Sequence, residues 1–282
     1  EQLAVSTDPL VAGVHFADPG DPFLLGQRSL AVAVSDLAAM GAHPLAFTLA
    51  LTTPTVDADW LQRYAQGLNA MAQRCGVGLV GGDTTRGPLS LTLTVFGRVP
   101  AGLALTRGGA RPGDLLCVGG ELGNAAGALP LVLGQRSAQA AIAEPLLAHY
   151  WSPQPQLALG LALRGKATSA MDISDGLLAD CGHIARASAV SLLIERDTLP
   201  LSAALLAFVG RDEAHVAALS GGDDYVLVFT LPPAELAPLR AGGWPVHVIG
   251  RVQAGQGVTL LDANGQDITP AVHGYQHFHQ LP

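Results

Sequence analysis

The chain has 282 residues, a formal net charge of −8, and 49% hydrophobic against 13% charged residues. That length and apolar share build a large core, most naturally in two domains, and exclude a disordered chain. The acidic balance excludes an extended nucleic-acid surface, since no basic stripe is there to neutralise a phosphate backbone; nucleotides stay open, because bound magnesium would reverse the local sign.

Residues 3–8 read as a strand, and 23–40 as a long apolar helix stopped by Gly41 and the His43-Pro44 pair. Residues 45–52 are aliphatic and β-branched enough for a strand. The segment 57–75 puts Trp60, Leu61, Tyr64, Leu68, Met71 and Cys75 on one helical face, with Gly76 as its stop. Residues 77–81 and 89–99 read as two strands around a Gly81-Gly82-Asp83 turn. Strand, helix, strand, helix, strand, strand makes an α+β layer with its helices on one sheet face. A hinge rich in Gly, Arg and Pro follows at 106–113, then a strand (114–118), a Gly-rich turn and helix (119–133), and a polar stretch (151–155). Next come a helix (156–165), a strand into a helix (169–188), strands at 191–195 and 225–231, a helix, and a last strand near 246–252. The fold class is α/β (α+β) in two domains, 1–108 and 109–282.

Cys75, Cys117 and Cys181 form no CxxC and read as reduced, small apolar residues of a cytosolic, hence cytoplasmic, protein. The longest uncharged stretch, 37–56, is broken by Gly41, His43 and Pro44 and is no membrane span. The chain opens without Met and inside a strand, so residues upstream of Glu1 are expected.

The chemistry lies in aspartates at the ends of apolar segments, with Gly-rich turns beside them. A carboxylate next to a buried element is costly unless its charge is compensated. Several without nearby Lys or Arg point to a cation as the missing partner. Oxygen ligands select magnesium or calcium, and magnesium implies phosphate. Asp172 sits where a strand ends, Ser174 suits a helix N-cap, and Asp175 falls in the first turn. A plain capped helix explains Ser174 and Asp175; two carboxylates beside free helix N–H groups would instead suit a magnesium-bound phosphate. Gly81-Gly82-Asp83-Thr84-Thr85 reads either as a hairpin-like turn or as a close backbone approach to phosphate with Asp83 holding a cation. Asp36 lies mid-helix among Val32, Val34, Leu37 and Met40, an unusual place for a core carboxylate. Asp8 follows two hydroxyls, and His15 is ambiguous alone. The GxxxxGK match at 160–166 ends in Ala167, with no hydroxyl for magnesium, and follows a helical run. No GxSxG or cysteine-nucleophile context points to covalent catalysis.

Taken together, these residues resemble the thiamine-monophosphate kinase family, within the superfamily of aminoimidazole ribonucleotide synthetase and selenophosphate synthetase. The resemblance spans nearly the whole chain. It rests on Ser6-Thr7-Asp8 with Gly13-Val14-His15-Phe16, the run from Ser35-Asp36 to Gly41, Gly81 to Thr85, and Leu105-Thr106-Arg107 with Pro112-Gly113-Asp114. It continues through Met171 to Gly176 with His183-Ile184, Ser220 to Tyr225, and Gly274-Tyr275-Gln276-His277-Phe278.

It implies transfer of the γ-phosphoryl group of ATP to thiamine monophosphate, giving thiamine diphosphate. It further implies an N-terminal ferredoxin-like mixed sheet that pairs in a homodimer and holds ATP and magnesium, and a C-terminal α/β domain of the aminoimidazole ribonucleotide synthetase type. Carried over by position, Ser6, Thr7, Asp8, Asp36, Asp83, Asp172 and Asp175 would be ligands to several magnesium ions. Gly82, Asp83, Arg107 and Ser174 would contact ATP, and His15, Asp223 and Tyr275 the thiamine substrate. Asp8, Asp36, Asp83, Arg107 and Asp172 would carry the catalysis. Two departures stand out. The family's Gly-Asp-Asp-Ala segment, with one more metal-binding Asp, lies upstream of this chain's start, and its Gly-Gly-Glu-Asp-Tyr turn has Asp223 for the Glu. The competing expectations are a sister ATP-dependent synthetase and a catalytically silent nucleotide-binding subunit.

Overall fold

The computed structural model describes residues 1–17, 20–271 and 274 and divides into two compact units, 1–104 with 151–161, and 105–150 with 162–282. The first unit contains β1 (Gln2–Val11), α1 (Pro22–Ala39), β2 (His43–Thr53), α2 (Ala58–Cys75), β3 (Gly78–Arg86) and β4 (Ser90–Val99). Its mixed sheet runs β1-β4-β2-β3, with β4 antiparallel to both neighbours and β2 parallel to β3. Alternation along β1 buries Ala4 and Leu10 and leaves Leu3 and Val5 exposed, as a strand with one covered face requires.

Both helices start as their residues dictate. Asp21 caps α1 ahead of Pro22, and Asp57 caps α2 by accepting from the N–H groups of Asp59 and Trp60. Gly76, at φ 67°, ends α2 in the left-handed conformation. Tyr64, Leu68, Met71 and Cys75 form the buried stripe expected of that helix. The two helices cross with backbones in contact. A Cβ at Gly67 would collide with the Phe23 carbonyl, and one at Gly26 with the Tyr64 carbonyl. Residues 152–160 close over these helices: Arg74 donates to Ser152 and Gln154, and Gly160 lies against the Ala38 carbonyl.

The expected turn at Gly81-Gly82-Asp83 is instead the middle of β3. Val80 is bulged out between Phe47 and Thr48 of β2, and Gly82, at φ 151°, presses against the Leu49 backbone where no Cβ fits. Thr84 and Thr85 then continue the strand, and the chain turns at Gly87-Pro88-Leu89. β3 and β4 are therefore no hairpin; they flank β2 on its two sides.

The second unit contains β5 (Leu115–Val118), α3 (Asn124–Val132), α4 (Ala140–Trp151), α5 (Leu157–Leu163), β6 (Ser169–Asp172), α6 (Leu177–Ser188) and β7 (Ser191–Glu195). The chain continues through α7 (Ala203–Val209), α8 (Arg211–Ser220), β8 (Leu227–Leu231), α9 (Pro233–Ala241), β9 (His247–Gln253) and β10 (Gly257–Leu261). α4 enters from this unit and α5 spans the boundary. The six-stranded sheet runs β10-β7-β9-β5-β8-β6, antiparallel except for β10 beside β7. Its core joins Leu116, Val118, Val228 and Ile249 of the strands to Leu177 and Ile184 of α6. α4, α7, α8 and β10 go beyond the elements expected from sequence. Pro145 lies inside α4 and Gly210 divides α7 from α8, so ordinary breaker residues masked these helices.

Replacing Gly67 by alanine should destabilise the first unit by roughly 2 kcal/mol or more, because rigid backbone stands where the methyl must go. A lowered denaturant midpoint in equilibrium unfolding would show it.

Candidate active site

In the first unit, Ser6 and Asp8 share the face of β1 that buries Ala4 and Leu10. The Ser6 hydroxyl donates to Asp36 Oδ2 from α1, which gives the mid-helix carboxylate its partner. Thr7 points to the opposite face, where its hydroxyl meets that of Thr94 at 2.9 Å. Of the three consecutive residues, Thr7 could join its neighbours only through its main chain. His15 follows β1, and its Nδ1 accepts from the Val11 N–H at 3.0 Å.

Asp83 is placed apart from this group. It is exposed on β3, paired with Ala50, at the sheet edge opposite β1. Three strand spacings, roughly 14 Å, separate the two edges. Gly82 beside it serves the strand pairing already described.

In the second unit, Asp172 ends β6 and is buried, opposite Leu227 of β8. Ser174 is not the N-cap expected for the helix. α6 begins at Leu177 behind Gly176, which has no side-chain cap. Asp180, inside the first turn, reaches back instead, and its Oδ2 accepts from the N–H groups of Ser174, Asp175 and Gly176 at 3.0, 3.1 and 3.2 Å. The N–H groups of Ser174, Asp175 and Gly176 are thus already engaged. Burial pushes the Asp180 carboxyl up to about 7, and the charges of Asp175 and Asp172 push in the same direction.

A second loop zips onto the first. Asp223 N–H donates to the Ser174 carbonyl at 2.9 Å, and Tyr225 N–H to that of Ile173 at 2.8 Å. Between them Asp224 is buried and accepts from the Gly123 N–H at 2.7 Å, at the start of α3. Burial raises its carboxyl from 3.8 to about 7.

Arg107 lies in a loop held by Ser188, whose hydroxyl donates to the Arg107 carbonyl and accepts from the Gly109 and Ala110 N–H groups. The His183 imidazole is held below its ordinary pKa by burial first, then by the Arg107 and Arg186 charges, while Asp175 opposes them. Arg107, His183 and Asp175 are therefore electrostatic neighbours. Gly274 packs on the Asp175 carbonyl, and Tyr275, the next residue, lies outside the described residues.

Sequence reading missed Asp180, Asp224 and Tyr225 as site-shaping groups. The available signal was Asp180 itself: an acid one turn from Leu177 and Ile184, on the apolar stripe of its helix. Magnesium fits the donor set in kind, since the ligand atoms the acids offer are all oxygen. Among the described residues, however, no group of three or more His, Cys, Asp or Glu side chains stands ready to hold a metal ion. That is the usual situation for magnesium, which takes one or two carboxylates and completes its shell with water and substrate phosphate.

The two units match the family models of AIR synthase related protein, the N-terminal domain over residues 1–99 and the C-terminal domain over 111–263. Fold and site thus define a two-domain protein of the AIR synthase related class. Within that class, the chain is 44% identical over 283 residues to thiamine-monophosphate kinase of Escherichia coli K12, covering 99% of this chain and 87% of the relative. The crystal structure of thiamine-monophosphate kinase from Stenotrophomonas maltophilia K279a superposes with a TM-score of 0.88 at 44% identity, covering 94% of this chain and 86% of that one. AaThiL complexed with AMPPCP and TMP superposes with a TM-score of 0.89 at 30% identity, covering 98% and 87%. The chain belongs to the thiamine-monophosphate kinase family.

Asp224 makes the second unit's stability depend on pH. Its folded pKa stands above 3.8, so its contribution is complete below 3.8 and is lost as the pH rises to about 7. Asp224→Asn should flatten that fall. Thermal melts between about pH 5 and 8 should show the variant less pH-dependent than the parent, with its gain at the alkaline end.

Proposed function

We propose that this chain transfers the γ-phosphoryl group of ATP to thiamine monophosphate, yielding thiamine diphosphate and ADP. The observation that carries the reading is the carboxylate cluster of Asp172, Asp175 and Asp180 at the end of β6, in a chain whose family acts on this chemistry. The solved relative complexed with AMPPCP and TMP supports ATP as co-substrate.

The acceptor is a phosphate monoester with a second pKa of about 6, so near neutrality it is largely a dianion and needs no general base. Accordingly no histidine is required to take a proton; His183, held below its ordinary pKa, stays neutral there. An acceptor oxygen forms the new bond to the γ-phosphorus as the bond to the β-phosphate oxygen breaks, and ADP leaves with that electron pair. The obstacle is repulsion between two polyanions. Magnesium, held by Ser6, Thr7, Asp8, Asp36, Asp83, Asp172 and Asp175, would neutralise their charge. Arg107 and Ser174, with Gly82 and Asp83, bind the nucleotide, and His15, Asp223 and Tyr275 bind thiamine monophosphate. Transfer is direct, without a phosphoenzyme.

The sister selenophosphate reaction would need a reactive thiol. Burial pushes Cys75 up to about 11 and Cys117 to about 12, and all three cysteines are buried. None supplies a thiolate near neutrality.

Two features support a homodimer. Leu3 and Val5 on β1, Leu45 on β2, and Leu79 and Val80 on β3 are exposed, and every residue of β3 is exposed on an edge strand. Asp8 and Asp83 also stand at opposite edges of one chain's sheet, whereas pairing of two sheets can bring an edge of one copy to the other. For the membrane question, no helix among the described residues is long and apolar enough to cross a bilayer.

Incubation with ATP, magnesium and thiamine monophosphate should give thiamine diphosphate. Asp172→Asn should lower kcat at least about a hundredfold with an unchanged circular dichroism spectrum, because it removes charge and not volume. Retained turnover with the parent's magnesium dependence would refute that role. In light scattering, Val80→Glu should shift the mass from two chains to one.

A further inference from the structure

The turn at 221–225 holds two non-glycine residues in left-handed conformation, Asp223 at φ 72° and Tyr225 at φ 51°. Such residues are strained and persist only where their surroundings over-determine them. Here they do. Asp223 and Tyr225 are pinned by main-chain bonds to Ser174 and Ile173, Asp224 is anchored at the start of α3, and Gly222 touches the Ser174 carbonyl where no Cβ fits.

This backbone folds Tyr225 back over its own turn. The ring is 8% exposed, and its hydroxyl donates to Asp223 Oδ1 at 3.0 Å. A buried tyrosine needs only some acceptor for its hydroxyl. The two left-handed positions, held by these main-chain bonds, also set one carboxylate against one phenol. Asp223 is half-buried, so it faces solvent while Tyr225 does not.

We propose that Tyr225 is a positioning residue. It acts through Asp223, fixing that carboxylate for recognition of the organic acceptor and leaving the nucleotide end untouched. The inference rests on the reading above that Asp223 binds thiamine monophosphate. Asp223 has two side-chain torsions, and the bond from Tyr225 selects among their combinations before substrate arrives.

Steady-state kinetics of the parent, Tyr225→Phe, Asp223→Ala and the double variant test it. Tyr225→Phe should raise KM for thiamine monophosphate about tenfold, the scale of one hydrogen bond to a charged group, with kcat and KM for ATP within about twofold. Asp223→Ala should raise the same KM further, and adding Tyr225→Phe to it should change nothing more. Independent, additive effects, an unchanged KM, or a KM for ATP that moves in step would overturn the proposal. If Tyr225→Phe does not fold, fluorotyrosine labelling of the parent gives a second test, because the chain has only 4 tyrosines. Among the resonances that shift on adding thiamine monophosphate but not ATP, one should also move in Asp223→Ala. The absence of any resonance with both responses would equally overturn it. A parent chain that makes no thiamine diphosphate sinks the functional reading and this inference together, whereas turnover with an additive cycle sinks this inference alone.

Discussion

Carboxylates crowded at the end of β6 set the terms for everything the second unit's loops do. Asp172, Asp175 and Asp180 feel one another's charge, and two unit charges about 4 Å apart repel by about 4 kcal/mol at an effective dielectric of 20. The fold reduces that cost in two ways. Asp180 is buried, given three main-chain donors and pushed towards its neutral form. Asp175 interacts with His183, which also feels the Arg107 charge. On the proposed function, a divalent cation would complete this acidic centre and draw a phosphate there as its counter-ion. In the first unit a hydroxyl does the equivalent task, with Ser6 directed at Asp36.

Much of the fold was legible in residue order. Asp57, Gly76 and a six-residue stripe delimited α2 almost to the residue, and the order of strands and helices in the first unit followed from similar signals. The failures share a physical origin. Gly81-Gly82 reads locally as a turn, yet at Gly82 β2 approaches too closely for a Cβ, a fact about a neighbouring strand. Pro145 and Pro130 sit within helices that tertiary packing maintains, so local propensity underestimated α4. β10 was lost because the last expected strand was taken to end the sheet.

Candidate residues could be picked out in the sequence, but their arrangement could not. Asp172 and Asp36 stood out because acids rarely lie beside buried apolar runs. Their partners could not be read, since Ser6 is 30 residues from Asp36 in sequence and Asp224 is 101 from Gly123. Alternation along β1 shows that Ser6-Thr7-Asp8 cannot present three side chains to one face, so the motif divides between side-chain and main-chain donors. Sequence spacing alone also gave no hint that β1 and β3 would lie at opposite edges of their sheet.

One consequence concerns how phosphate is held. Nucleotide-binding α/β proteins commonly offer phosphate a helix N-terminus, whose free N–H groups and dipole favour an anion. Here the two helix starts beside the site loops, those of α3 and α6, have glycine at the N-cap and no side-chain cap of their own. A buried carboxylate closes the start of α3, and another binds the loop just ahead of α6. Asp224 serves the N–H groups of Gly123, Asn124 and Ala125, and Asp180 those of Ser174, Asp175 and Gly176. A phosphate approaching the start of α3 would meet an acid already in the anion's place. The second unit thus uses both acids as internal anchors for loops, and on the proposed function a polyphosphate would be met there by cations, metal ions or the guanidinium of Arg107. A chain with a net charge of −8 can bind a tetra-anionic nucleotide on those terms, because the charge that matters is that of the protein with its metal ions and not of the protein alone.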